Sequence, residues 1–175
     1  MKTKQIDLAD AFLNEARRVL VEVYPPRIIR CLQLLSEEEI WWRPNSASNS
    51  IGNLVLHLQG NVRQWIISGL GGQADHRDRD SEFSETGPIP RRALLAGLRK
   101  TVAEADQVLK GVRRPDLAHR FSIQGYDVSA FQVISHVAEH FALHAGQIMY
   151  ITKFKRGKDL KFTRLPSQQK KPRGK

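Results

Sequence analysis

The stretch that decides the fold is SAFQVISHVAEHFALHAGQIMYITKF, residues 129–154. Its apolar residues recur at spacings of three and four, which is the pattern of one buried face of an α-helix. Ser129 is followed three residues later by Gln132, and this pair predicts a capping box at the start of the helix. The stretch therefore predicts one long amphipathic helix that runs from near Ser129 to about Phe154.

Three further segments show the same periodicity: residues 7–35, 50–69 and 90–110. Pro25 and Pro26 interrupt the first of them, so a kink or a second helix begins there. The polar residues 71–86 form a long connection, and residues 113–128 predict a loop or a short hairpin. We therefore predict an all-α fold, a four-helix bundle with a long crossover between helices 2 and 3.

Composition limits the class of protein. The 175 residues are 41% hydrophobic and 26% charged, which is typical of one globular domain and excludes a disordered or collagen-like chain. We expect no membrane span, because no apolar run approaches the roughly 18 residues required, and no secretory signal precedes the first helix. A single cysteine, Cys31, excludes an intrachain disulfide, so we expect a cytoplasmic protein. The apolar residues around Cys31 in the sequence predict a buried, inert thiol.

The net charge of +10 is concentrated at the C-terminus. Residues 153–175 carry ten Lys and Arg against one Asp, a net +9, which leaves +1 for the rest of the chain. We therefore predict a bundle domain over residues 1–154 and a basic, disordered tail over residues 155–175. The tail either makes weak, non-specific contact with nucleic acid or simply keeps the protein soluble.

Histidines carry the chemistry of the long helix. His136, His140 and His144 are spaced by four, so they lie on one face, with His140 and His144 nearest the apolar centre. Buried imidazoles need polar partners, and a divalent metal satisfies them if a second helix brings a third ligand, for which His57 is the obvious donor. The alternative is a set of core histidines bonded to backbone or carboxylates. The HExxH pattern is absent, which excludes a zincin metalloprotease.

Three other residues, and His136 itself, are candidates for positions beside the metal ligands. Asn61 and Gln147 lie on the inward sides of their helices and either orient a metal ligand through a hydrogen bond or bond between helices. His136, nearer the rim, and Glu139 are the candidates for a fourth ligand that would close the site, although the angle of Glu139 favours the surface.

The polar connection carries alternating charges in RDRDSEF, residues 77–83. We predict that they form a salt-linked brace over the bundle. The alternative is that Arg77 or Arg79 meets an anionic substrate at the mouth of the site.

Three stretches are similar to the DinB/YfiT-like superfamily, in particular to a DinB-like group within it: NSIGNLVLHLQGNVRQWI, RDRDSEF and HFALHAGQI. The resemblance covers residue 7 to about residue 154 and leaves out the basic tail. Members typically carry the motif H-x3-H-R-G-Q, and Ala145 stands here where arginine is common. The resemblance implies a four-helix bundle and a three-histidine metal site whose ligands are His57, His140 and His144.

The resemblance also suggests a function. Members of the superfamily that resemble this chain are metal-dependent transferases that use low-molecular-weight thiols, together with a thiol-dependent isomerase. It therefore implies a divalent metal ion (zinc, nickel or iron), S-transferase chemistry on a small-molecule electrophile, and a homodimer. A metal-dependent hydrolase is one alternative, and a non-catalytic metal-binding stress-response protein is another.

Overall fold

The computed structural model describes residues 6–163, which form a helical bundle with one small hairpin. The α-helices are α1 (Leu8–Arg17), α2 (Tyr24–Leu34), α3 (Glu37–Trp41), α4 (Ile51–Val62), α5 (Arg79–Ser84), α6 (Arg91–Gly111) and α7 (Ala130–Arg156). The remaining elements are π-helical segments at Arg18–Val23 and Arg63–Leu70, a 3₁₀ turn at Arg114–Ala118, and strands β1 (Arg120–Ile123) and β2 (Tyr126–Ser129). The strands pair antiparallel, with Arg120 opposite Ser129.

Four helical rods make the bundle. The first is α1, its π-helical continuation and α2, the second is α4 with its π-helical continuation, and α6 and α7 are the third and fourth. The predicted all-α four-helix bundle is therefore confirmed, and the long crossover lies between the second and third rods. Sequence periodicity missed the short helix α5, which lies within that crossover. Pro25 and Pro26 lie in the first turn of α2, where a missing N–H costs little.

The crossover is fastened to the beginning of α4. Ser50 and Asn53 cap α4 reciprocally, each side chain bonding the other residue's backbone N–H. The Asn53 amide also donates to the backbone carbonyls of Glu82 and Glu85, at 2.9 and 2.8 Å. Arg43 donates to the Glu85 carbonyl as well. These buried bonds hold α5 against α4, and that placement matters for the site described below.

The core lies where the rods meet. α2 packs on α7, and α4 packs on both α6 and α7. The fully buried side chains in these contacts are large and apolar: Ile28, Leu32, Leu58, Leu98, Phe141 and Ile148. Cys31 is also fully buried, and burial raises the pKa of its thiol, as expected for an inert core cysteine. Among residues 6–163 no helix has the length and apolar character that crossing a membrane requires.

The end of α7 is followed by a short ordered segment. The helix stops at Gly157, which adopts a left-handed conformation (φ 60°). Leu160 is buried, and the guanidinium groups of Arg27 and Arg30 lie 5.9 and 5.8 Å from the ring centre of Phe162. Residues 155–163 of the predicted tail thus contact the bundle, whereas residues 164–175 lie outside the described part of the chain.

Two helical glycines give opposite expectations for stability. A Cβ at Gly52 would lie 2.7 Å from the Trp41 ring, so Gly52→Ala should lower the free energy of unfolding by about 1–3 kcal/mol. A Cβ at Gly146 in α7 would meet, within 4 Å, no described atom outside its own stretch of helix, so Gly146→Ala should raise the free energy of unfolding by about 0.5–1 kcal/mol. Urea unfolding of the two variants measures both effects, and equal changes would contradict the packing described.

Candidate metal centre

The site lies along the seam between α4 and α7. His57 on α4 meets His140 and His144 on α7, and Asn61, one turn further along α4, meets His136. Rising numbers on α4 therefore face falling numbers on α7, so the two helices run in opposite directions along this seam. Residues spaced by four lie on one face of each helix, and the seam is accordingly lined by side chains from both.

Three imidazole rings converge at one end of the seam. His57 Nε2 lies 2.9 Å from His140 Nε2, and His144 Nε2 lies 3.2 Å from the same atom. One ligand atom from each of the three residues lies within 4.8 Å of the others. His57 is buried, whereas the other two rings are half-buried. The structure thus brings together the three residues that the resemblance implied.

Hydrogen bonds on the far side of two rings fix which nitrogen faces the centre. His57 Nδ1 lies 2.8 Å from Glu82 Oε2, and His144 Nδ1 lies 2.7 Å from Gln147 Oε1. Arg77 Nη2 also lies 3.2 Å from His57 Nδ1, but the Glu82 carboxylate is nearer and can only accept. We therefore assign the proton of each ring to Nδ1. The Nε2 atoms of His57 and His144 then present lone pairs toward His140. The sequence predicts Gln147 on the inward side of α7, but it is exposed and contacts His144 one turn before it on the same helix.

The donor set fits a divalent cation. A proton on His140 Nε2, the one available among the three converging nitrogens, can bond well to only one of the other two, so at least one lone pair faces a close nitrogen without a hydrogen bond and is repelled by it. A cation at the centre removes this repulsion, and three neutral imidazoles suit zinc, nickel, iron or copper. Three protein ligands leave a coordination position open, which is the pattern of catalytic zinc sites.

Burial keeps the rings neutral. Burial, reinforced by the neighbouring histidines, lowers the pKa of His140 to about 3. Burial also lowers the pKa of His144 and of His136. The neutral imidazole is the form that binds a metal, so these rings need not lose a proton to do so at neutral pH.

A buried ion pair supports His57 from behind. Arg77 grips the Glu82 carboxylate with two bonds, Nε to Oε1 at 2.7 Å and Nη2 to Oε2 at 2.9 Å, and both side chains are less than a tenth exposed. Burial alone would raise the pKa of Glu82, but hydrogen bonds from Arg77 and His57 outweigh it and hold the pKa below its usual range. Glu82 therefore remains an ionised acceptor for the His57 N–H.

The Arg77–Glu82 ion pair is one element of the predicted salt-linked brace, and the other charges of the segment form no ion pair among the described residues. The Arg77 guanidinium donates hydrogen bonds to Glu82 and Gln64. It is therefore already paired, which disfavours its alternative role of binding an anionic substrate. Arg79 is exposed and lies over the ring of Phe83, 5.0 Å from its centre. Gly60 makes room for the pair, because a Cβ there would collide with the Glu82 carboxylate. Sequence reasoning did not assign Glu82 to the site.

The other predicted residues lie beside the three-ring group. Asn61 is buried, but its amide contacts His136 at 3.5 Å and no ligand ring. His136 packs on Trp65 with ring centres 4.3 Å apart and, among residues 6–163, does not join the group of converging ligand atoms. Glu139 is exposed, as its helical angle favoured. Within the described residues, neither candidate for a fourth ligand closes the site.

The chain matches one protein family, and its fold is shared with solved structures of DinB-like proteins. The family model described as "Protein of unknown function (DUF1572)" matches residues 7–169, and the chain belongs to that family. No protein with a curated description matches the chain significantly.

Solved structures share the fold at low sequence identity. A conserved protein of Enterococcus faecalis is 14% identical with a TM-score of 0.69, over 88% of this chain and 100% of its own. A DinB-like protein of Bacillus cereus is 16% identical with a TM-score of 0.62, over 85% and 92%. YfiT of Bacillus subtilis, described as a "probable metal-dependent hydrolase with an unusual four-helix bundle topology", is 12% identical with a TM-score of 0.67, over 91% and 93%.

The support of His57 by Glu82 can be tested by removing the charge alone. Glu82→Gln should weaken divalent metal binding about 10–100-fold, because the His57 N–H then faces a neutral amide and Arg77 loses its buried counter-ion. The measurement is metal affinity by competition with a chelator. Glu104→Gln is the matched control, since Glu104 pairs with Arg63 away from the histidines. Equal affinity in wild type and Glu82→Gln would contradict the role of Glu82.

Proposed function

We propose that this protein is a metal-dependent enzyme in which His57, His140 and His144 hold a divalent ion, zinc, nickel or iron, beside a small-molecule substrate. The observation that carries the proposal is the convergence of three imidazole Nε2 atoms, at 2.9 and 3.2 Å from the central one. Two of the rings have their opposite nitrogens occupied by acceptors. A divalent ion held in this way supplies Lewis acidity, which lowers the pKa of a bound water or thiol and polarises an electrophile.

The protein side chains prepare the site for that role. Glu82 and Gln147 fix two of the rings, so the ligand geometry is set before a substrate arrives. The ring of Phe83 packs on His57 with ring centres 4.6 Å apart and shields the buried side of the site from water. His140 and His144 are half-buried, which leaves the other side of the site accessible to a small molecule.

An open coordination position favours an enzyme over a non-catalytic stress-response protein that stores metal. Among the described residues, no further His, Cys, Asp or Glu joins the three histidines. A storage or structural site would take a fourth protein ligand, and His136 and Glu139 do not provide one.

The nucleophile is the finer part of the proposal. The superfamily resemblance favours a thiolate and hence S-transferase chemistry, in which the thiol releases its proton to solvent and its sulfur displaces a leaving anion from a small electrophile. Cys31 is fully buried in the core, so the thiol comes from a cosubstrate. Hydrolysis is the second candidate, and the description of YfiT as a probable metal-dependent hydrolase favours it.

Metal content tests the ligand set. Protein purified without an affinity tag should carry about one divalent ion per chain by elemental analysis, and His140→Ala should lose it because two ligands remain. His119→Ala is the matched control, since His119 is exposed. Retention of the metal by His140→Ala, with helical content unchanged by circular dichroism, would contradict the proposed ligands.

Product analysis separates the two nucleophiles. The metal-loaded protein is offered monobromobimane with a panel of low-molecular-weight thiols, and 4-nitrophenyl acetate without thiol. S-transferase chemistry predicts conversion of the bimane with thiol above the uncatalysed rate, and this excess requires the metal. Ester cleavage that requires metal and no thiol would favour the hydrolase instead. If both activities persist after the metal is removed, the proposal of a metal-dependent enzyme is contradicted.

A further inference from the structure

The polar lining of the seam continues past the metal ligands. His57, Asn61 and Trp65 follow one another on the second rod at spacings of four, and they face His136 and His140 on α7. The three-histidine group uses one end of this seam. The other end, formed by Asn61, Trp65 and His136, is here called the polar subsite.

Polar atoms in the subsite are buried without partners. Asn61 is 4% exposed and Trp65 is 5% exposed. Among residues 6–163, nothing hydrogen-bonds to Asn61 Oδ1, to Trp65 Nε1 or to the neighbouring His140 Nδ1. Buried polar atoms in proteins are nearly always paired, and leaving one unpaired lowers stability. Three such atoms on side chains of one seam therefore indicate a place built for a ligand.

These groups surround a single ring next to the metal ligands. The Asn61 amide nitrogen lies 3.5 Å from His136 Nε2, and the Trp65 and His136 ring centres are 4.3 Å apart. The His136 and His140 ring centres are 5.6 Å apart, so the subsite adjoins the metal centre directly. His136 is half-buried, so part of its ring reaches the surface beside the subsite.

The chemistry of the subsite selects its ligand. Asn61 Oδ1 accepts a hydrogen bond and Trp65 Nε1 donates one, and the three side chains that form the subsite are uncharged. We propose that the polar subsite binds an amide-type group of the substrate, one N–H and one oxygen acceptor, beside the metal, an inference that rests on the proposed function. The adjacent ion and the subsite then hold two parts of one small molecule.

The rest of the seam shows that the bundle does not need these polar groups for packing. The neighbouring inward residues of α4, Leu54, Leu58 and Val62, are apolar and at most 3% exposed. Apolar residues of similar size at Asn61 and a phenyl ring at position 65 would fill the same space without unpaired atoms. Asn61 and Trp65 can hydrogen-bond to a ligand, whereas the apolar side chains that would pack equally well in their place cannot.

The experiment uses the full-length protein loaded with Co²⁺ and follows its visible absorption during titration with two probes. Acetohydroxamate offers oxygen ligands to the metal and carries an amide-type N–H, whereas azide binds a metal without donating a hydrogen bond. Asn61→Leu and Trp65→Phe should each weaken acetohydroxamate about tenfold, the effect of one lost hydrogen bond, and leave azide affinity within about twofold.

Gln59→Leu is the matched control. Its amide nitrogen is also buried and unpartnered within the described residues, but its side chain packs against Gly97 on α6 and not in the seam. This variant should bind both probes like the wild type. Trp65→Phe retains the ring, so the test stands even if Asn61→Leu fails to fold.

The outcomes separate the two proposals. Azide that leaves the cobalt spectrum of the wild type unchanged would overturn the open coordination position and hence the proposed function. In the second outcome, azide binds to the wild type and to both variants, and acetohydroxamate affinity is equal in wild type, Asn61→Leu and Trp65→Phe. This result would overturn the polar subsite alone and assign its unpaired atoms to ordered water.

Discussion

The hydrogen bond between His57 and Glu82 is the contact on which the site depends. It joins α4 to the crossover and fixes the His57 proton on Nδ1, so that Nε2 faces His140 on α7. Without an ionised acceptor behind it, the His57 ring would be free to rotate or change tautomer, and the three rings would no longer converge through their lone pairs.

The crossover explains how a carboxylate is kept charged inside the bundle. A buried Glu82 is tolerated because Arg77 binds it with two short bonds and the His57 N–H occupies one of its oxygens. Asn53 holds the backbone of the same segment to the start of α4. The long connection between the second and third rods is therefore part of the metal centre, and the absence of a Cβ at Gly60 lets it approach closely.

Local patterns predicted most of the fold, and tertiary contacts account for the rest. The cap at Ser129 and the spacing of His140 and His144 are properties of one helix, so periodicity was enough to find them. His57 lies on a flank of its apolar stripe, and its burial depends on α7 and α5, so family resemblance rather than angle implied it. Glu82 is one of several charges in the crossover, and sequence spacing does not distinguish it from the others.

X-ray absorption at the metal edge tests the central claim most directly. The protein loaded with zinc should show three histidine nitrogens at about 2.0–2.1 Å and one exchangeable oxygen ligand, which is the coordination that three converging imidazoles impose. The spectrum should lose one imidazole in His57→Ala. A shell of four protein ligands, or one with fewer than three imidazoles in the wild type, would contradict this account of the site.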